Sequence, residues 1–274
     1  MRDRVDAFFQ GWRVAVRIIG LTFRAELEYR AQFLSQVAFG VAWQASIIVF
    51  ATVILGRFSG MAGWASRDVM LIVGMRMFSH GLFVLFFDRT YQLTALVQEG
   101  RLDGFLLRPL PVYRQVQLAL FPTNALGDIL VGVAIFGWAI PHLGLHWTAA
   151  GIAYVSAGLI GGTLMEGAIF SALSSAHLHY PSSHTWTIWI EELFSTFGNY
   201  PLRFLPSVVS GAFTFVLPLA FIAYFPAAVL THNTSGLGVP ELVAALAPAV
   251  GLAAYIGSRL LFKLSLRYYT GVTG

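Results

Sequence analysis

The sequence predicts an all-α membrane protein: six transmembrane helices behind an N-terminal amphipathic interfacial helix, a proline-broken element before the last span, and a single domain over residues 1–274. Three observations carry this. Only 11% of the 274 residues are charged against 57% hydrophobic, with a mean hydropathy of +0.71, whereas a soluble domain carries about 25% charged residues and could not cover so much apolar surface. Several uncharged runs exceed the roughly 20 residues that a helix needs to cross hydrocarbon. Lastly, the 17 cations, 16 of them arginine, flank those runs instead of forming a patch, which marks membrane topology and argues against a nucleic-acid partner.

Taken in order, Val5, Phe8, Trp12, Val16, Ile19, Phe23 and Leu27 recur every three or four residues while Arg13, Arg17, Arg24 and Glu28 take other faces. This predicts a helix lying in the membrane interface over residues 1–30. Ten charges in those 30 residues leave no apolar core for a signal peptide. The 26 uncharged residues between Arg30 and Arg57 hold the first span, Phe33 to Leu55. The second, Val69 to Phe87, contains Arg76 and ends at Asp88-Arg89. The third, Leu118 to Ile140, carries Asp128, and the fourth, Trp147 to Ser174, carries Glu166. With only Pro141 to His146 between them, those two form a tight hairpin. The last span, Leu242 to Phe262, is closed by Lys263 and Arg267.

Ser175 to Glu241 allows two arrangements. Trp186 to Tyr200 is amphipathic and carries Glu191 and Glu192, while Phe204 to Leu230 is strongly apolar but broken by Pro206, Pro218 and Pro226. Either the proline-broken segment crosses and the glutamate-bearing one lies at the interface, or the glutamate-bearing one crosses and the broken one dips into the opposite leaflet and returns. The second arrangement needs protein or water to cover the freed backbone groups. Both make six spans. Of the 17 cations, 13 fall before the first span, between Arg89 and Arg114, or after Ser258, so both termini are expected in the cytoplasm.

Catalytic chemistry is hard to place on this chain. The only lysine, Lys263, follows Phe262, so there is no glycine-rich phosphate loop ending in Gly-Lys-Ser/Thr. Cysteine is absent, no HExxH or GxSxG pattern occurs, and Asp128 has no second aspartate in a span to pair with. No catalytic, cofactor or metal site is therefore expected. His177, His179 and His184 gather in one loop beside Pro181 and two serines and read as solvated. The informative polar residues are Arg76, Asp128 and Glu166, with Glu191 and Glu192 if their segment enters the bilayer. Ionisable groups at that depth face a cavity or one another, which makes these five the candidates for a translocation path; the plainer alternative is a structural pair such as Arg76 with Asp128. An acidic residue such as Glu166 would favour a cationic cargo. Gly158-x-x-x-Gly162 permits close helix packing.

Between the second and third spans, Gly100 to Pro111 reads GRLDGFLLRPLP. This predicts a short helix with Leu102, Phe105 and Leu106 on an apolar edge and Arg101, Asp103 and Arg108 charged. It stops at Pro109 and Pro111, a shape suited to a partner's groove.

That segment, Tyr29-Arg30 before the first span, Tyr200-Pro201, the block from Val216-Leu217-Pro218 to Phe225-Pro226-Ala227, and Leu266 to Gly271 (LRYYTG) together resemble the permease subunits of type-2 ABC exporters. More narrowly, they resemble a bacterial branch with one ATPase and two six-span permeases per system. The resemblance covers nearly the whole chain and is strongest from Leu102 to Leu110. It implies that Arg101, Leu102, Asp103, Phe105, Leu106, Arg108 and Pro109 form a coupling helix against the ATPase, that the N-terminal helix is the connecting helix beside it, and that the element before the last span is re-entrant. It also implies a cytoplasmic ABC ATPase partner holding ATP and magnesium, a second permease subunit, related or identical, and residence in the bacterial plasma (inner) membrane. The expected activity is export by alternating access. Spans rich in Phe, Trp and Leu point to a hydrophobic or amphipathic cargo. The alternative is a secondary transporter or membrane scaffold without an ATPase; repeated halves with matching helix breaks would mark the former, and here the breaks concentrate in the C-terminal half.

Overall fold

A computed structural model of the chain describes residues 2–57, 60–61, 63–89, 93–119, 121–144, 147–180 and 184–271, with side chains from Arg13 onward except at 54–61, 94 and 184. Helix α1 (Arg2–Glu28) runs into α2 (Arg30–Arg57). A two-residue antiparallel hairpin, β1 (Gly60–Met61) and β2 (Trp64–Ala65), turns through Gly63 at φ 87° and leads into α3 (Ser66–Phe86). Three short helices follow, α4 (Leu93–Gln98), α5 (Arg101–Leu106) and α6 (Val112–Leu118), then the long pair α7 (Asn124–His142) and α8 (Ala149–His177). The remainder is α9 (His184–Phe197), α10 (Ser207–Phe215), α11 (Tyr224–Leu230), α12 (Glu241–Ala245) and α13 (Ala247–Arg267). Among the described residues five helices, α2, α3, α7, α8 and α13, are long and apolar enough to cross a membrane. The chain is an all-α membrane protein.

Helices α3 and α8 form the centre: α7 packs on α3, α13 on α8, and α2 on the outer side of α7. Glycine sets these approaches, because only a missing Cβ lets two backbones meet. A Cβ on Gly132 of α7 would lie 2.7 Å from Phe78 Cα of α3, and Gly161 of α8 meets Gly251 of α13 through its carbonyl. The predicted Gly158/Gly162 pair also receives close neighbours, but these are Met75, Pro226 and the Ile222 carbonyl.

Most spans differ from the sequence reading by two or three residues at an end, and three boundaries near prolines stand out. The third span begins at Asn124 and not Leu118, because Pro122 separates α6 from α7. The last begins at Ala247 and not Leu242, with Pro248 in its first turn and Leu246 breaking the chain from α12. Helix α5 ends at Leu106, since the residue before Pro109 is steered out of the helical region. Of the predicted apolar stripe on α1, Val16, Ile19 and Leu27 are exposed, while Phe23 packs edge-on against Phe33 and Phe121. The side chains of Val5, Phe8 and Trp12, together with those of His146 and His184, lie outside the described residues. His177 is not solvated: it is fully buried, with Nε2 3.0 Å from the Thr187 hydroxyl.

The 14 residues of α9 amount to about 21 Å of helix, short of a full hydrocarbon thickness. The chain continues through a turn at Leu202–Phe204 and brings Arg203 over Gly236 and near Gly63, where its guanidinium donates to the Ser235 carbonyl at 3.3 Å. The segment thus leads from the α5 end of the bundle to the hairpin end. From there α10, a turn at Leu219–Phe221 and α11 fold back inward and out again. Leu219 rests on Gly198, Pro226 on Gly158, and Tyr224 on Trp64, with ring centroids 5.4 Å apart. Residues 219–228 are buried throughout, so protein covers the backbone that Pro218 and Pro226 leave unpaired.

Candidate functional site

Arg76 and His80 stand one turn apart on α3, hence on one face, and Glu166 faces them from α8. The Arg76 guanidinium donates from Nη1 and Nη2 to Glu166 Oε2 and Oε1, both at 3.1 Å, and His80 Nδ1 lies 2.8 Å from Oε1. Glu166 is 1% exposed. A carboxylate so deep is tolerable only because a forked cation and a ring nitrogen occupy it. The pair suggested by sequence, Arg76 with Asp128, does not form: Arg76 pairs with Glu166, and Asp128 faces α2, accepting from Gln44 Nε2 at 3.2 Å. It follows that Glu166 offers no unbalanced negative charge to a cargo.

In front of this cluster a cavity opens between α2, α3 and α9. Arg76 and His80 line its floor, Trp43 and Gln44 one wall, Glu191 and Glu192 the other, with Asn199 at the inner end. A second cavity shares Trp43, His80 and Glu191 and adds Asp128 and Asp88. A third shares Asp88 and Asn124 with the second and reaches Glu26 and Arg89 at the α5 end. Together they form one polar cleft running from that end to the middle of the bundle. Burial pushes the Asp88 carboxyl above the ordinary carboxylate range, against the pull of Arg89. Asn199 is 3% exposed; its amide donates to the Ser195 carbonyl at 2.8 Å, while its Oδ1 and the Nε of Arg76 have no partner.

Four of the five predicted path residues, Arg76, Asp128, Glu191 and Glu192, thus converge on the cleft, and Glu166 sits behind it. Sequence reasoning missed His80, Gln44, Trp43 and Asn199. His80 had a signal, standing four residues from an intramembrane arginine; the other three acquire their role from helix packing.

At the α5 end, Leu102 is buried in a cluster with Leu93, Leu96, Tyr113, Leu178 and Phe262. Gly100, at φ 67°, makes the left-handed turn into α5 that a side chain would oppose. Gln115 Nε2 donates to the carbonyls of Phe105 (2.8 Å) and Leu110 (2.6 Å), tying both ends of the loop to α6. Arg101 pairs with Glu99 at 3.1 Å, and Arg108 stands over the Phe105 ring at 5.3 Å. Asp103 lies beside Tyr269, whose hydroxyl is pushed above its usual range by burial and then by that carboxylate. Exposed groups are Arg101, Asp103, Gly104, Leu106, Arg108 and Pro109, together with Leu107 at 89% exposed.

A family described as ABC-2 family transporter protein matches residues 41–273. The chain belongs to the ABC-2 transporter family. No curated protein and no solved structure matches it. An ABC-2 protein is the permease component of an ABC transporter, not its ATPase, and works with an ABC ATPase subunit. The matched region of this ABC-2 permease contains α3 to α13, with α5 and the inner part of the cleft, and leaves α1 and the first turns of α2 outside.

Proposed function

We propose that this ABC-2 permease is one half of the membrane-spanning part of an ATP-driven exporter. Its six crossings are α2, α3, α7, α8, the stretch from α9 through Phe204, and α13, with the α10–α11 element re-entrant from the outer side. This single permease domain, residues 1–274, resides in the bacterial plasma (inner) membrane, and the arginine distribution puts both termini and α5 in the cytoplasm. A second permease subunit, identical or related, completes the cavity, and the ATPase partner binds ATP and magnesium. Closure of the ATPase dimer pushes on α5; the two permease halves then exchange inward- and outward-facing states around the cleft lined by Arg76, Asp128, Glu191 and Glu192, carrying a hydrophobic or amphipathic cargo.

The observation that carries this reading is the polar cleft itself. It begins at the end where α5 presents Leu106, Leu107 and Arg108, and it reaches the middle of an otherwise apolar bundle. In the seven-residue coupling segment the roles divide: Leu102 anchors the helix, Arg101, Asp103 and Phe105 brace it within the chain, and Leu106, Arg108 and Pro109, with Leu107, meet the ATPase. The test is affinity purification of the tagged chain from its native membrane in mild detergent, with mass spectrometry of co-eluting proteins. An ABC ATPase is expected to co-elute with the wild type and to be lost, without loss of membrane insertion, from Leu107→Asp/Arg108→Glu. Absence of any ATPase with the wild type would transfer the reading to a secondary transporter or scaffold.

A further inference from the structure

Within the transport path just proposed, on which this inference rests, the placement of charge specifies the cargo. On the cleft floor Arg76 is neutralised by Glu166 behind it, a carboxylate that His80 also meets. The charged groups left to face the two inner cavities are then chiefly acids: Asp128, Glu191 and Glu192, with Asp88 one step toward the α5 end. Glu191 and Glu192 are exposed in the cleft wall and make no ion pair among the described residues. Opposite them stands Trp43, half exposed, an aromatic face against which an apolar or cationic group can lie. At the inner end the buried Asn199 Oδ1 is an acceptor without a donor, and a buried acceptor left unmatched is costly until something donates to it.

We infer that the cleft binds amphipathic organic amines in their protonated form. The ammonium N–H groups donate to the Glu191 and Glu192 carboxylates and to Asn199, while the apolar body lies along Trp43. Three features select this class. An anion would meet the acidic wall, a neutral lipid would leave carboxylates buried without a counter-charge, and the free acceptor at Asn199 favours a cation that carries N–H donors. The assignment moves the cation-selecting role from Glu166, which sequence alone suggested, to the α9 glutamates.

The test uses the full chain alone in lipid nanodiscs and three probes sharing one dansyl fluorophore and alkyl chain: dansylcadaverine (ammonium), its N-acetyl derivative (neutral) and dansyl-aminohexanoate (carboxylate). Binding is read from dansyl emission and from energy transfer out of tryptophan. The ammonium probe is expected to bind at least about tenfold more tightly than the other two, and Glu191→Gln/Glu192→Gln to remove that preference. These two positions are exposed, so the variant keeps its fold, which a monodisperse elution profile checks; Trp43→Phe should reduce the energy transfer. Equal affinity for all three probes, no binding of any, or an ammonium preference that survives the double variant overturns the proposal. Because no ATPase is present, this result is separate from the co-elution test: an ATPase partner without charge selection sinks the cargo class alone, and charge selection without an ATPase sinks the exporter and keeps the site.

Discussion

Helices α2 and α3 are nearly equal in hydropathy, and either would be read as a membrane crossing of the same kind, yet 11% of the core of α2 is buried inside the bundle and 72% of α3. Hydropathy reports how well a segment tolerates a solvent-free environment; it does not distinguish lipid from neighbouring helices. What separates the two is the placement of small and polar residues. Helix α3 brings Gly74 and Gly81 against the α7 backbone and Arg76 and His80 against Glu166. Helix α2 has one such approach, Gly40 beside Asn124 and Gly127, and turns Phe39, Val49, Phe50 and Val53 outward.

The contrast can be broken most severely at Glu166. Glu166→Ala leaves the buried Arg76 guanidinium without its partner, and a loss of about 3–5 kcal/mol is expected, read as a collapse in yield and thermal midpoint by fluorescence-detected size exclusion. The double variant Arg76→Leu/Glu166→Leu should recover most of that loss, because replacing both charges removes the unpaired one. A smaller effect separates two glycines of α7. Gly132→Ala forces a Cβ into Phe78 and should cost about 1–3 kcal/mol, whereas Gly137→Ala meets open space and should be neutral or slightly stabilising. The smallest change is expected on α2: Phe50→Ala should move the thermal midpoint of the isolated chain by no more than about 0.5 kcal/mol equivalent. If that variant nevertheless disrupts pairing with a second permease subunit, measured by cross-linking in the membrane, the outward face of α2 is a subunit contact.

Legibility followed the range of the interactions. The long helices and the short helix at Arg101–Leu106 were readable because apolar run length and glycine act within a turn or two of chain. The ends of the third and last spans were misplaced because an apolar count does not register that Pro122 and Leu246 interrupt the helix. Arg76, Asp128 and Glu166 were recognisable as costly residues that need partners. Which partner each takes was not, since Arg76 and Glu166 are 90 residues apart and meet only through the α3–α8 contact.

The sequence by itself determined that the chain enters a membrane, where its long apolar helices lie to within a few residues, and that a short helix lies between the second and third of them. These follow from transfer free energies and backbone geometry, which each residue carries independently of the fold. Only the tertiary structure decided that Glu166 is neutralised while Glu191 and Glu192 face an open cleft, that Leu107 projects while Leu102 anchors, and that the C-terminal Tyr269 closes on Asp103. Charge and exposure are properties of what stands opposite a side chain, and that is set by helix packing.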